Sequence, residues 1–221
     1  PNKMGSLTQA HAGETQKYVN KYHLSSEQFV LMDKLDGNSG QLCYNEKGQI
    51  TIGYSRGDGF DGADLTRHLL QMKNVPKQLN GYNQNVPIDV RVEFIITPED
   101  FRRYIQPVVM SSSGKPYKNP RNAVAGFLNA ERNDPLVYRY IRVVAYQIFK
   151  SADDKLVQLE LLQDYGFETV NFSIVRGSQL TDEFLTDELN NRKASSCYEL
   201  DGVVYEVNDG KLRKQINPTT D

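Results

Sequence analysis

The chain has little cysteine, no tryptophan and no long apolar run, and neither sign of charge is in large excess. Its two cysteines, Cys43 and Cys197, lie far apart, and no spacing of cysteine and histidine resembles a zinc site. These features argue against a disulfide-rich scaffold and predict two free thiols in a reducing compartment. The formal net charge of −2 gives no bulk sign of a nucleic-acid partner, so any such surface must be a local basic patch.

Segments that direct a chain to a membrane are also lacking. No stretch is long and apolar enough to span a bilayer, and the N-terminus carries no apolar signal core. The sequence therefore predicts an intracellular, cytoplasmic protein with no membrane partner.

The 221 residues are enough for one large domain or two small ones, and 38% hydrophobic content supports a true core. Strands and helices are mixed without regular alternation, which predicts an α+β fold with antiparallel sheets. Periodicity and turn residues predict helices over 13–22, 64–72, 98–105, 122–129, 155–165 and 181–192, and strands over 29–32, 40–44, 49–54, 86–96, 137–149 and 202–207.

Residues 33–39 carry the strongest chemical signal, because Lys34 stands two residues before an Asp-Gly pair and after an apolar run. This pattern predicts a strand that ends in a tight turn, with one amine held close to a carboxylate. A neutral amine in such a place can attack a phosphorus atom. The alternative is an ordinary solvated turn, which short Lys-x-Asp-Gly strings usually form.

Two further segments contain groups suited to a nucleotide. Residues 54–66 are rich in glycine and include Arg56, whose guanidinium can bind phosphate or ribose. The alternative there is a surface turn. Glu93 lies in an apolar strand, where a lone acid is unfavourable unless it is paired. It is either a buried salt-bridge partner or a ligand for a sugar hydroxyl or a metal.

Two more segments complete the set. Residues 119–128 begin with Asn-Pro and predict a helix whose first turn places Arg121 near free N–H groups, as an anion site requires. A capped helix with a solvated arginine is the alternative. Residues 198–207 predict a turn that leads into a buried strand, and structure alone explains them.

Taken in order, these segments resemble the adenylation (nucleotidyltransferase) domain of NAD-dependent DNA ligases. The resemblance covers nearly the whole chain and implies one adenylation domain over 1–221. It also implies a nucleotidyltransferase, ATP-grasp-like fold of antiparallel sheets flanked by helices. The segments that carry it are 34–37, 55–59 with 62–66, 91–93, 119–126 and 201–204.

By this resemblance, Lys34 is the nucleophile that takes AMP from NAD+, and Asp36 orients the chemistry. The adenylate then passes to a DNA 5′-phosphate at a nick, so NAD+ and nicked double-stranded DNA are the implied partners. The lysine must first lose its proton, and Mg2+ is implied as the divalent ion that neutralises the phosphates. No metal ligand is assigned.

The resemblance also implies the roles of five further residues. Stacking of a base on an aromatic ring contributes ~1–3 kcal/mol in nucleic-acid systems. The implied roles are Arg56 for ribose or phosphate, Glu93 for ribose, Tyr146 for stacking on adenine, Val204 (with Val203) for the adenine pocket and Arg121 for the nick phosphate.

The chain also departs from the family pattern. Glu206 stands where the family has a lysine, and a carboxylate there is expected to repel the α-phosphate. Either another cation replaces that lysine, or the strand is shifted, or adenylation is weakened. Met32, Val92 and Asn129 replace a family acid, a glycine and an arginine.

The sequence ends short of the family's last lysine motif, and no NMN-binding, OB-fold, zinc-finger or helix-hairpin-helix domain is recognised in it. The expectation is a fragment, or one subunit of a split or minimal ligase whose partner carries the OB-fold. A viral source, and with it the host cytoplasm, is one option. Two alternatives stay open: an ATP-dependent version of the same module, and a nucleotide- or DNA-binding subunit without catalysis.

Overall fold

The computed structural model describes residues 11–56 and 62–216. Across those two ranges, no helix is both long enough and apolar enough to cross a bilayer. The helices are α1 (Glu14–Lys21), α2 (Thr66–Leu69), α3 (Pro98–Asp100), α4 (Pro120–Asn129), α5 (Lys155–Asp164), α6 (Asp182–Ser195) and α7 (Gly210–Ile216). The strands are β1 (Gln28–Leu35), β2 (Asn38–Tyr44), β3 (Ile50–Ser55), β4 (Ile88–Ile95), β5 (Arg142–Ile148), β6 (Glu168–Thr169), β7 (Phe172–Arg176) and β8 (Leu200–Val207).

The strands form two sheets. One has the order β7-β1-β8 and is antiparallel throughout. The other has the order β3-β2-β4-β5-β6, in which only the short β5–β6 pair is parallel. The chain passes from the first sheet to the second through a bend at residues 36–37, directly after β1.

Strand β1 is the central strand of its sheet, and both of its faces are covered. Val30 and Met32 belong to an apolar cluster that also contains residues of β4 and β5, and so joins the two sheets. Phe29 and Leu31 pack on the other face with residues of α1 and β8. This double burial explains why the sequence of β1 is a continuous apolar run and not an alternating one.

The second sheet packs its other face against α2, α4 and the segment that follows α3. Helix α4 begins at a true cap, because Asn119 Oδ1 accepts a hydrogen bond from the Asn122 amide at 2.8 Å. Its buried residues include Ala123, Val124 and Phe127. This packing fixes the first turn of α4 next to the start of β2.

Most of the predicted elements are confirmed within a few residues, but the strand predicted over 137–149 is wrong in its first part. There Asp134 caps a 3-10 helix (Pro135–Arg139), and β5 begins only at Arg142. A proline and an acidic cap outweigh the β propensity of the residues that follow them.

Other predicted elements also need correction. The helix predicted over 64–72 covers only four residues, and the helix predicted over 98–105 is a short α3 continued by a π-helical turn (Phe101–Ile105). Strands β6 and β7 and helix α7 were not predicted. The predicted end of α5 is confirmed, because Gly166 adopts a φ of 104°, which favours glycine.

Candidate active site

A cavity of about 440 Å³ lies between the two sheets. The first sheet contributes residues of β1 and β8, and the second contributes residues of β2, β4 and β5 together with the start of α4. All seven site residues predicted from the sequence line it: Lys34, Asp36, Arg56, Glu93, Arg121, Tyr146 and Val204.

Lys34 lies in the last part of β1, opposite Gly202 of β8. Its Nζ donates a hydrogen bond to Asp201 Oδ2 at 2.9 Å, and the two side chains are 41% and 48% exposed. The hydrogen bond from Lys34 holds the pKa of the Asp201 carboxyl below its usual range. The amine therefore faces the cavity beside a carboxylate, as the sequence predicted, but the carboxylate comes from β8 and not from the turn.

The bend after β1 requires glycine for steric reasons. A Cβ atom added at Gly37 would lie 2.4 Å from the carbonyl oxygen of Phe94 in β4. Asp36, one residue earlier, accepts a hydrogen bond from Arg121 Nη1 at 3.2 Å. Asn38, one residue later, donates to the Arg121 carbonyl oxygen at 3.0 Å. The bend thus ties Lys34 to the first turn of α4.

Glu93 lies on β4 at the floor of the cavity and is only 9% exposed. Ser39 Oγ donates a hydrogen bond to Glu93 Oε2 at 2.9 Å. Burial raises the pKa of Glu93 to about 7, although the hydrogen bond from Ser39 and the charges of Arg121 and Arg56 oppose that shift. A carboxyl group close to its titration point therefore lies beside two arginines.

Arg56 follows β3 directly, and its backbone N–H donates to the Ser39 carbonyl oxygen at 2.9 Å. This bond places the residue at the edge of the cavity next to Ser39. Gly57 and Gly59 of the same motif lie outside the described residues, whereas a Cβ atom added at Gly62 would lie 2.2 Å from the Ser55 carbonyl oxygen.

The cavity has an apolar part formed by Tyr146, Val204, Met32 and Val170. Tyr146 and Val204 both pack against the cluster that joins the sheets. Burial raises the pKa of Tyr146 to about 12, so its ring is a neutral phenol at physiological pH. An apolar surface of this kind suits a flat aromatic group.

Glu206, also on β8, lines the cavity and is paired with a buried lysine. Lys155 Nζ lies 3.5 Å from Glu206 Oε2, and the Lys155 side chain is only 1% exposed. The same amine donates to the Tyr146 carbonyl oxygen at 2.7 Å. Burial lowers the pKa of Lys155, while the charge of Glu206 opposes that change. Lys155 therefore gives the Glu206 carboxylate a cationic partner, while the replacement of the family's lysine by another cation stays a prediction.

Arg192 and Asp33 form a second buried ion pair, on the face of β1 away from Lys34. Arg192 Nη1 lies 2.7 Å from Asp33 Oδ1, and the side chains are 6% and 4% exposed. Arg192 also donates to Ser173 Oγ of β7 at 2.5 Å and to Glu188 Oε2 of its own helix at 3.1 Å. This network joins α6 to the strand that carries Lys34.

Sequence reasoning missed Asp201, Ser39, Lys155 and Arg192. Asp201 is the first residue of an Asp-Gly pair at 201–202, and this pair could have marked it as a candidate site residue. Ser39 ends the segment that contains Lys34. Lys155 and Arg192 gave no signal, because a lysine or an arginine in an amphipathic helix is usually on the solvated face.

Both cysteines are free thiols, as predicted, and Cys197 is exposed while Cys43 is half-buried. Burial and the neighbouring Asp89 raise the pKa of the Cys43 thiol to about 12. No group of three or more His, Cys, Asp or Glu side chains within residues 11–56 and 62–216 could hold a metal ion.

Residues 2–220 match the family model of the NAD-dependent DNA ligase adenylation domain. The chain belongs to this family. Three curated DNA ligases are examples of proteins whose sequences are similar to this chain. That of Endomicrobium trichonymphae is 31% identical over 198 residues, which are 87% of this chain and 29% of the relative. Those of Gluconacetobacter diazotrophicus and Pelagibacter ubique are 34% and 30% identical, over 85% and 90% of this chain and 27% and 28% of the relatives. The chain thus spans less than a third of these ligases.

Solved structures of ligases share the fold of this adenylation domain. An archaeal ATP-dependent RNA ligase (form 2) superposes with a TM-score of 0.58 at 10% identity, over 95% of this chain and 46% of that one. A structure of a Lig E DNA ligase superposes with a TM-score of 0.50 at 14% identity, over 93% of this chain and 63% of that one. The predicted fold class, a nucleotidyltransferase fold of sheets flanked by helices, is confirmed.

Proposed function

We propose that this chain is the adenylation module of a DNA ligase, a single domain over 1–221, with Lys34 as its nucleophile. The Lys34 Nζ attacks the α-phosphorus of NAD+, and an N–P bond forms while the P–O bond to nicotinamide mononucleotide breaks. The amine gives up its proton to solvent or to a nearby carboxylate, and lysyl-N-AMP results. The observation that carries the proposal is that Lys34 shares one cavity with Arg56, Glu93 and Tyr146.

The later steps follow from the same chemistry. A DNA 5′-phosphate at a nick attacks the adenylate and displaces Lys34, and the 3′-hydroxyl then displaces AMP as the phosphodiester forms. These steps correspond to roles in DNA replication and repair. A second subunit that carries an OB-fold is the partner we propose for closing the module on DNA.

Lys34 must be released from Asp201 before it can attack, because its Nζ is hydrogen-bonded to that carboxylate. Both side chains are partly exposed, so their ion pair is weak and is readily exchanged when a phosphate arrives. The same holds for Arg121, whose pair with Asp36 has side chains that are 58% and 31% exposed. Arg121 can therefore turn to a phosphate at small free-energy loss.

The remaining residues would bind the nucleotide. Glu93 would accept hydrogen bonds from ribose hydroxyls, since it is fixed by Ser39 and faces the cavity. Tyr146 and Val204 would enclose the adenine, and Arg56 would bind ribose or phosphate. Stacking on Tyr146 would contribute ~1–3 kcal/mol.

Mg2+ fits the cavity as an ion bound mainly by the substrate. Mg2+ in phosphate-transfer sites usually takes one or two carboxylates and several phosphate or water oxygens. Asp36 and Asp201 are the carboxylates beside Lys34 that could supply this contact. When bound, the ion would neutralise phosphate charge.

An intact-mass measurement tests the adenylation step. We expect the protein incubated with NAD+ and Mg2+ to gain the mass of one adenylate, and Lys34→Ala to gain none, because Lys34 is the only lysine among the described residues that lines this cavity. Lys47→Ala, at an exposed lysine in the β2–β3 turn, is the matched control and should still gain it.

The same intact-mass measurement with ATP in place of NAD+ tests whether the module is the ATP-dependent version. If neither nucleotide gives an adduct in the unaltered protein, with or without nicked DNA, the proposed chemistry is wrong.

A nucleotide- or DNA-binding module without chemistry is the second candidate. The carboxylate of Glu206 in place of the family's lysine is the observation that favours it. Calorimetric binding of nucleotide without any covalent adduct would support that function.

A further inference from the structure

The pair formed by Glu206 and Lys155 lies at the end of the cavity that is remote from the nucleophile. In the β1–β8 register, Lys34 is opposite Gly202, whereas Glu206 is opposite Val30, four residues earlier along β1. A strand rises about 3.3 Å per residue, so the two levels are roughly 13 Å apart. Glu206 therefore does not lie beside the phosphate that Lys34 would attack.

The other sheet shows the same progression along the cavity. Glu93 is on β4 close to the bend that follows Lys34, and Gly37 at this bend approaches the Glu93 side chain. Arg91 is two residues farther along β4, opposite Gln147 of β5, and both line the cavity with Glu206. A nucleotide with its phosphate at Lys34 and its ribose at Glu93 would thus extend its base toward Glu206.

The buried Lys155 side chain holds the Glu206 carboxylate in place from the protein interior. The amine is bound to both the Tyr146 carbonyl oxygen and Glu206 Oε2, so it links the strand that carries Tyr146 to the strand that carries Glu206. Glu206 is 25% exposed while Lys155 is almost completely buried. The carboxylate therefore has one oxygen on the lysine and remains accessible from the cavity as a hydrogen-bond acceptor.

We propose that Glu206 is a specificity-determining residue that accepts a hydrogen bond from the exocyclic amino group of adenine, and that Lys155 is its positioning residue. This rests on the proposed function, because it assumes that the cavity binds an adenine nucleotide. An ionised carboxylate only accepts hydrogen bonds, so it favours a base edge that carries N–H donors. Its role here is base recognition and not repulsion of the α-phosphate.

Binding of two nucleoside monophosphates tests the inference without any chemistry. AMP and purine riboside 5′-monophosphate differ only in the amino group, and calorimetry gives the affinity for each. We expect the unaltered protein to bind AMP about 10- to 100-fold more tightly, the range of a hydrogen bond to a charged group.

Glu206→Gln should lower this preference by at least about tenfold. The amide oxygen can stay on Lys155, which leaves the amide NH2 group facing the amino group of adenine. Glu160→Gln, at an exposed position on α5, removes the same charge without facing the cavity and should keep the preference. An unchanged AMP preference in Glu206→Gln would overturn the inference.

Lys155→Met tests the positioning role. It should reduce the preference for AMP over the purine analogue, a ratio that a general loss of packing does not change. A preference equal to that of the unaltered protein would show that Lys155 does not position Glu206. If this variant does not fold, Glu206→Gln alone decides the base-recognition role.

The two proposals fail in different ways. If AMP binds with the expected preference and Glu206→Gln lowers that preference, but no lysyl adduct forms, the adenylation chemistry is wrong and the recognition by Glu206 stands. If the adduct forms but Glu206→Gln leaves the AMP preference unchanged, the recognition is wrong and the chemistry stands.

Discussion

Single residues in this cavity have properties that are set by their immediate partners. Lys34 is held by Asp201, Arg121 by Asp36, and Lys155 by Glu206. The first two pairs are partly exposed and exchangeable, whereas Lys155 is buried and its pair is fixed. The exchangeable charges of Lys34 and Arg121 thus lie where the phosphates of a nucleotide would bind. The fixed Lys155–Glu206 pair lies where its base would bind.

The buried carboxyl of Glu93 should make stability depend on pH. Its pKa is raised to about 7, so between the ordinary value of 4.5 and about 7 the folded protein binds more protons than the unfolded chain. The free energy of unfolding should therefore fall as pH rises through this window, by at most about 3 kcal/mol. Glu93→Gln should remove that part of the dependence, as urea unfolding at several pH values would show.

Glu131→Gln, at an exposed position, is the control for this measurement and should keep the pH dependence of the unaltered protein. If the free energy of unfolding of Glu93→Gln falls with pH as steeply as that of the unaltered protein, Glu93 is not the buried group that causes the pH dependence.

Among the elements, strand β1 carries the proposed nucleophile Lys34 on one face and the buried Asp33 on the other. Successive side chains of a strand point in opposite directions, so Lys34 faces the cavity while Asp33 faces α6. There the buried Asp33–Arg192 pair joins the strand to the helix. The position of Lys34 thus depends on an ion pair that has no part in the proposed chemistry.

Removal of Arg192 should destabilise the protein strongly. Arg192→Met leaves the Asp33 carboxylate buried without its cation, and the expected loss in the free energy of unfolding is about 3–5 kcal/mol. Urea denaturation measures it. In Arg192→Met combined with Asp33→Asn, part of this loss should be recovered, because the buried charge is gone.

Arg139→Met, at an exposed arginine, provides the comparison and should change stability little. A similar effect of Arg139→Met and Arg192→Met would argue against a structural role for the buried pair.

At the scale of the whole molecule, the cavity exists only when both sheets are in place. Lys34, Val204 and Glu206 come from one sheet, and Glu93 and Tyr146 come from the other. The two sheets are held together by the apolar cluster around Val30 and Met32. A nucleotide that binds this cavity therefore binds the folded protein and not the unfolded chain.

Nucleotide binding should raise the melting temperature. At 100 times the dissociation constant, AMP should add about 2.7 kcal/mol to the free energy of unfolding. For a chain of this length that corresponds to a rise of roughly 5–10 °C. Thermal melts with AMP, and with inorganic phosphate as the control, measure it. A melting temperature that AMP leaves unchanged at every accessible concentration would show that the cavity takes no adenine nucleotide.

The sequence by itself determined the α+β class, most helices and strands, and seven of the side chains that line the cavity. Lys34, Glu93 and Arg121 were recognisable because each breaks a local pattern: an amine before a turn, an acid in an apolar strand, a cation at a helix start. Local patterns of this kind depend on neighbours along the chain, and these are visible in the sequence.

Only the tertiary structure decided which partners these groups have. Asp201 beside Lys34, Lys155 beside Glu206 and Arg192 beside Asp33 each join residues from separate elements. Their ion pairs and burial arise from sheet order and register, which depend on packing of the whole chain. The strand register also places Glu206 far from the nucleophile, and that distance cannot be obtained from the spacing of residues along the sequence.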